Sequence, residues 1–387
     1  MKYSRLDLQL FNSFLSFPYF SHINKQKFSH KILRQIKLLN FKQSKNIDRI
    51  TEKYVEHINS DLFTPLGRRL HSILASKSLS EGIKFHKSIN TKVESLKPPI
   101  FVIGLPRSGT TNLHNLIINN FDTHGLRYWE LSSPANLSSN KYIDEKFRKL
   151  KSNFGFYLYR YLVPSIQSMH KVDMNTYEEC WHFQKNFFLC YNFVIQIKFL
   201  ELEDYLISYG TQDILNIYKK YLFSKHEDKQ TALKCPDHLM FLPDILKVFP
   251  DAKIIWVHRN PKDSISSYCP MIESVWNLFF GGDNKKNVLP FIVDLYERML
   301  KKAISDRKKM NSNIIDVSFN DLINERESLL KSLSSKLNLP IISKNVNKKR
   351  PSFFKNKFKF NPEDYGILNY DLREKFDFYL KQYSNYL

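Results

Sequence analysis

Ile100-Phe101-Val102-Ile103-Gly104 is an unbroken apolar run of β-favouring residues, and the loop Leu105-Pro106-Arg107-Ser108-Gly109-Thr110-Thr111 follows it directly. A run that is apolar at every position needs cover on both faces, the environment of a strand inside a parallel α/β sheet. Gly104 and Gly109 open backbone conformations closed to other residues. A helix predicted over Thr110 to Asn119 starts at this loop, so loop N–H groups and the helix amino-terminus converge on one point and form an anion cradle. Ser108, Thr110 and Thr111 add hydroxyls there, and Arg107 adds a cation. The plainer reading is an ordinary Gly-Ser turn. The G-x-x-x-x-G spacing matches a nucleoside-triphosphate loop, but Thr110 stands where that loop carries its Lys. A cation placed earlier, at Arg107, suits a phosphate carrying one transferable group better than a triphosphate tail.

The rest of the chain alternates strands and helices. Further strands are predicted at Thr231 to Lys234, Lys253 to Val257 and Ile314 to Phe319. Helices are predicted at Asp237 to Phe249, Lys262 to Trp276, Leu289 to Met310 and Tyr370 to Tyr383, and residues 143–223 read as mostly helical. That alternation implies an α/β, P-loop-like three-layer sandwich with a mainly parallel central sheet. Residues 1–97 read as a helical N-terminal extension, divided by a turn at Thr64-Pro65-Leu66-Gly67, and residues 98–387 as the nucleotide-binding domain.

A second anion anchor follows the strand that ends at Val257. His258-Arg259-Asn260-Pro261 leaves it, and Pro261 suits the first position of a helix. Arg259 therefore sits at the carboxyl edge of the sheet, where open α/β sheets bind ligands. Ser267 falls eight residues later, on the helix. An Arg fork and a Ser hydroxyl in that arrangement close on one phosphate. Taken alone, Arg259 is more readily a residue that caps or pairs with a neighbour.

Composition narrows the class. With 42% hydrophobic and 25% charged residues the chain is globular rather than disordered. No apolar stretch is long enough to span a bilayer, and the amino-terminus lacks the features of a secretory signal, so a cytoplasmic protein is expected. Cys180, Cys190, Cys235 and Cys269 form no C-x-x-C pair and no zinc spacing, which implies reduced thiols and no metal. The net charge of +21 points to an anionic partner or to a general Lys bias. It is concentrated in residues 1–98, which hold eighteen Lys or Arg against seven Asp or Glu, and in Lys344 to Lys359, with seven basic residues and no acid.

FVIGLPRSGTT resembles the 5′-phosphosulfate loop of sulfotransferases that use 3′-phosphoadenosine 5′-phosphosulfate (PAPS), and VHRNPKDSISS resembles their 3′-phosphate element. RYWEL at 127–131, MHKVDMNTYEEC at 169–180, LKCPDHL at 233–239, FPDA at 249–252, IDVSFNDLI at 315–323 and FNPEDYG at 360–366 resemble stretches of the bacterial-type sulfotransferase family 3. Cys235 and Asn260 depart from it, standing where the family usually has Ser and often has Asp.

The resemblance implies that Arg107, Ser108, Gly109, Thr110 and Thr111 hold the 5′-phosphosulfate and that Arg259 and Ser267 hold the 3′-phosphate. It implies PAPS as co-substrate and a hydroxylated small-molecule, lipid-like or carbohydrate acceptor, with no nucleic acid. Arg107 would stabilise charge on the bridging oxygen. A general base must lie within reach of the acceptor hydroxyl. His170 is the first candidate, Glu130 the second, and Glu178 or Glu179 the third. His114 is expected to pack on the first helix, His258 to support its strand end and His238 to cap a helix. Lys344 to Lys359 would close over the nucleotide or form a solvated charge run. The basic amino-terminal region offers peripheral membrane contact or simple packing. The competing readings are a P-loop kinase or NTPase, and a basic nucleic-acid or membrane-surface binder.

Overall fold

The computed structural model describes residues 30–39, 41, 44–89, 92–163, 165, 169, 173–310, 314–342, 362–369 and 371–387. His170 and Lys344 to Lys359 lie outside these residues. Five strands form one sheet: β1 (Ile100–Ile103), β2 (His124–Gly125), β3 (Thr231–Lys234), β4 (Lys253–His258) and β5 (Ile314–Ser318). Their order is β2-β3-β1-β4-β5, and every pairing is parallel. Strand β1 is central and fully buried, as its unbroken apolar sequence requires.

The pleat of the strands divides the core. Phe101, Ile103, Leu233, Ile254 and Trp256 enter the larger hydrophobic cluster, while Ile100, Val102, Ala232, Ile255 and Val257 enter the smaller one. Such alternation between layers is what a period of two gives a sheet covered on both sides. The smaller cluster is closed by α3 (Thr110–Asn120) and α10 (Arg326–Leu337). The larger one takes in α1 (Ser44–Asn59), α2 (Pro65–Ser88), α6 (Gln212–His226), α7 (Leu242–Val248), α8 (Pro261–Phe280) and α9 (Lys285–Lys309). Between α3 and α6 lie α4 (Tyr128–Ser132) and α5 (Lys141–Leu162).

The amino-terminal helices share the main core. Tyr54 on α1 hydrogen-bonds His71 on α2 at 2.6 Å, and its ring packs against Phe188, Phe193 and Phe199. Thr64 caps α2 by accepting from the Gly67 amide at 3.0 Å, with Pro65 in the first turn. Gly82 passes so close to the Asn186 carbonyl that a Cβ would stand 1.8 Å from its oxygen, which ties α2 to the body of the fold.

Several boundaries differ from those read in the sequence. The two-residue β2 is too short to show a periodicity. The helix expected from Asp237 to Phe249 is broken at Phe241 into a 3-10 turn, Pro236–Met240, and α7, because Pro243 suits only a first turn. The carboxyl-terminal helix divides into Leu372–Lys375 and Asp377–Gln382. The 143–223 region is helical but cut into short pieces.

Candidate active site

The loop after β1 is held in an uncommon shape. Gly104 has φ +152° and Gly109 has φ +96°, and Arg107 between them is left-handed with φ +66°. A left-handed non-glycine residue costs about 1–3 kcal/mol and persists only where its surroundings fix it. Two bonds do so here. The Tyr296 hydroxyl donates to the Pro106 carbonyl at 2.7 Å, and Arg259 Nη1 donates to the Arg107 carbonyl at 2.8 Å. A Cβ on Gly109 would lie 2.7 Å from the Phe319 ring, so glycine is required there for space as well as for conformation. Gly109 caps α3 without a side-chain hydrogen bond, which leaves the first-turn amides of Thr110 and Thr111 facing the loop.

The two sequence anchors meet. Arg107 Nε donates to Ser267 Oγ at 3.0 Å, across 160 residues of sequence. The Arg259 guanidinium lies 4.1 Å from the centre of the Phe319 ring. The pairing differs in detail from the expected one, since Ser267 contacts Arg107 while Arg259 grips the loop backbone. Asn260 caps α8 by accepting from the Lys262 amide, a role Asn fills as well as Asp.

Burial works against the charge of both guanidiniums and pulls their pKa below the usual range; Tyr296, Tyr268 and Glu179 offset part of this at Arg107, and Asp263 at Arg259. Among the described residues, neither has a carboxylate in ion-pair contact. Among the described residues, buried Ser108 Oγ and Arg259 Nε have no hydrogen-bond partner. Desolvated cations and orphaned donors around exposed amides fit a phosphate or phosphosulfate group.

Beside this loop, β3 ends in Lys234. Its ammonium is fully buried and donates to Glu179 Oε1 at 2.9 Å. Desolvation works against the Lys234 charge, but Glu179 and Glu178 outweigh it and hold its pKa above the ordinary value. The Glu179 side chain keeps about one-fifth of its surface exposed (21%), and its charge is felt by Arg107 and by Tyr268 on α8. It is a partly solvated carboxylate beside the anion cradle.

A family model described as Sulfotransferase family matches residues 98–343. The chain belongs to the sulfotransferase family. It is 24% identical over 314 residues to omega-hydroxy-beta-dihydromenaquinone-9 sulfotransferase Stf3 of Mycobacterium bovis and of Mycobacterium tuberculosis, covering 75% of each chain. Its fold is that of two solved structures. Sulfotransferase STF1 from M. tuberculosis H37Rv superposes with a TM-score of 0.65 at 19% identity, over 86% of this chain and 91% of that one. Sulfotransferase STF9 from Mycobacterium avium gives 0.68 at 18% identity, over 85% and 89%.

The remaining candidates of the sulfotransferase sort by position. Glu130 lies apart from the loop contacts. One of its oxygens, Oε2, caps α4 by accepting from the Arg127 amide at 2.8 Å; the other faces His226 Nε2 at 3.5 Å and His124 Nε2 at 3.9 Å. These three side chains are the group of possible metal ligands among the described residues, with ligand atoms within 4.8 Å of one another. Burial pushes His226 down to about 4, so it is neutral at pH 7. Glu178 is buried and faces His182 at 3.8 Å. His114 packs as expected and bonds the Ala232 carbonyl at 2.9 Å. His258 bridges Tyr379 and Asp316, supporting the end of β4. His238 is no cap: it lies within the 3-10 turn, with its ring edge-on to Phe101. All four cysteines are buried free thiols. Sequence reading missed Tyr296, Phe319 and Lys234 as parts of the site. Lys234 alone carried a signal, a charged residue ending an otherwise apolar strand.

Proposed function

We propose that this sulfotransferase moves the sulfuryl group of PAPS to the hydroxyl of a lipid-like acceptor. The observation that carries the reading is the joint at Arg107, whose side chain reaches Ser267 and whose carbonyl is held by Arg259. One nucleotide with charge at both ends would satisfy both anchors. The amides of Gly109 to Thr111, the Ser108 hydroxyl and Arg107 would receive the 5′-phosphosulfate, and Arg259 with Ser267 the 3′-phosphate. Selection of a 3′-phosphate would separate PAPS from ATP.

In the transfer, the acceptor oxygen forms a bond to sulfur while the bond from sulfur to the 5′-phosphate oxygen breaks. Adenosine 3′,5′-bisphosphate leaves with the bonding electron pair. Arg107 and the loop amides meet the negative charge that develops on the leaving oxygen, the kind of preorganised donor set that lowers such barriers most. The hydroxyl proton goes to a base, and we assign that role to Glu179. It is a carboxylate beside the cradle, oriented by the Lys234 ammonium at 2.9 Å. Glu130 is committed to its α4 cap and to the His124–His226 pair. The lipid-like acceptor is supported by the relative Stf3, whose name specifies a hydroxylated menaquinone.

The test is transfer of labelled sulfuryl from PAPS to a panel of hydroxylated acceptors, from phenols and sugars to long-chain isoprenoid alcohols. The reading expects labelled ester from the apolar alcohols and release of adenosine 3′,5′-bisphosphate. Stabilisation by ATP–Mg²⁺ with none by adenosine 3′,5′-bisphosphate would replace it with a P-loop kinase.

A further inference from the structure

The first half of helix α5 is folded with polar groups inward. The helix buries Asp144, Arg148, Ser152 and, a turn further on, Phe156, and exposes Tyr142, Ile143, Phe147, Leu150, Tyr157 and Tyr161, from 41% at Ile143 to 77% at Tyr142. The usual surface helix does the reverse. The inner face is fixed by bonds that a rotation of the helix would break. Arg148 donates to the Ser133 carbonyl at 2.6 Å, to Asp144 at 3.3 Å and to the Glu130 carbonyl at 3.4 Å. Its guanidinium also lies 4.6 Å from the centre of the Trp129 indole ring, and Asp144 accepts from the Leu137 amide at 2.6 Å. Residues 143, 147, 150, 157 and 161 fall at steps of three, four and seven, so these five exposed groups lie along one side of the helix.

The stripe has basic flanks. Lys146, Lys149 and Lys151 border it, Lys149 paired with Glu145 and Lys151 with Glu81, while Arg148 and Asp144 lie on the inner face. Lys141 and Lys146 are exposed. A second copy of this chain would bring the same basic flanks and the same +21 charge to the face and be repelled, whereas an anionic lipid surface complements both the stripe and its flanks. No helix among the described residues is long and apolar enough to cross a membrane, so α5 would lie on the bilayer.

We propose that α5 is the element through which this enzyme seats on an anionic membrane surface to collect its acceptor, with Phe147, Leu150 and Tyr157 entering the acyl boundary. The inference rests on the lipid-like acceptor proposed above. Its place in the fold is apt. Phe156 of α5 packs on Tyr128 at 5.4 Å, and neighbouring Arg127 bridges to Tyr177, two residues before Glu179. Just past α5, Ser165 Oγ donates to Ser274 Oγ on α8, the helix that carries Ser267.

The test is flotation of the full chain with phosphatidylcholine vesicles, with and without 30% phosphatidylglycerol (about one charged lipid in three, the range in which surface potential becomes strong). The variants are the single substitutions Phe147→Ser, Leu150→Ser and Tyr157→Ser and their triple combination. Because these side chains are exposed, melting temperature and binding of adenosine 3′,5′-bisphosphate should be unchanged. Binding to the anionic vesicles is expected to fall about tenfold or more in the triple variant, since affinity scales with buried apolar area. Unchanged vesicle binding in the triple variant overturns the proposal. So does a wild-type dimer, seen by light scattering, that the triple variant dissolves, since α5 is then a self-interface. A water-soluble alcohol acceptor separates the two readings. Transfer to it without vesicle binding removes the membrane inference alone; vesicle binding with no transfer to any acceptor removes the acceptor reading alone.

Discussion

At the ends of β1 and β4, Arg107 and Arg259 are desolvated with no carboxylate in contact among the described residues, while one strand over, at the end of β3, Lys234 is fully buried against Glu179 at 2.9 Å. The first pair of charges is left open and the second is closed. A buried open cation is costly unless something supplies its counter-charge, and on the proposed function the anion that arrives with the substrate supplies it on the β1–β4 side. A buried cation already satisfied by a carboxylate has no such need; its contact at 2.9 Å orients Glu179. On the proposed function, the open side is the donor half of the site and the closed side its acceptor half.

Mutations should separate the halves. The largest effect is expected for Arg107→Ala, which removes charge stabilisation in the transition state; kcat should fall by about a thousandfold or more, measured as steady-state sulfuryl transfer. Glu179→Gln should lower kcat by about a hundredfold, at the low end of what a lost base costs, with PAPS affinity retained in calorimetry. If Glu179→Gln instead weakened PAPS binding as strongly as it slowed turnover, the division into halves would fail. Arg259→Ala should raise the KM for PAPS by about tenfold, the cost of one charge-assisted hydrogen bond, and change kcat little. Ser267→Ala, which removes one neutral hydroxyl from Arg107, should cost only a few-fold in the same assay.

A shifted titration marks the closed half. Burial, together with nearby Glu179, pushes Asp237 up to about 8. The unfolded chain releases this proton near the ordinary value of 3.8 while the folded chain keeps it. Stability should therefore decline as pH rises from about 4 towards 8 and level off above that, through this group. Asp237→Asn should flatten that decline in urea melts taken across the range. An unchanged slope would show that Asp237 is ionised in the folded state.

What the sequence disclosed follows from how local each feature is. The loop from Gly104 to Thr111 and the strand before it are consecutive residues with strong conformational demands, so the fold and half of the donor grip were readable from them. The link from Arg107 to Ser267 spans 160 positions, and only resemblance to a family put those residues together. Glu179 and Lys234 are 55 residues apart and join through the packing of the 177–180 segment on β3, which no spacing announces. The same holds for His124, Glu130 and His226, which lack any local ligand motif yet converge at the sheet edge. Helix α5 shows the remaining gap. Its sequence is amphipathic on either reading, and only the bonds of Arg148 and Asp144 decide which side faces out.

The central claim is that a single nucleotide bridges Arg107 and Arg259, and it is tested most directly by titrating the protein with adenosine 3′,5′-bisphosphate and with adenosine 5′-monophosphate in calorimetry. The bisphosphate should bind about tenfold or more tightly than the monophosphate, and Arg259→Ala should erase the difference. Equal affinity for the two ligands in the wild-type protein would contradict it.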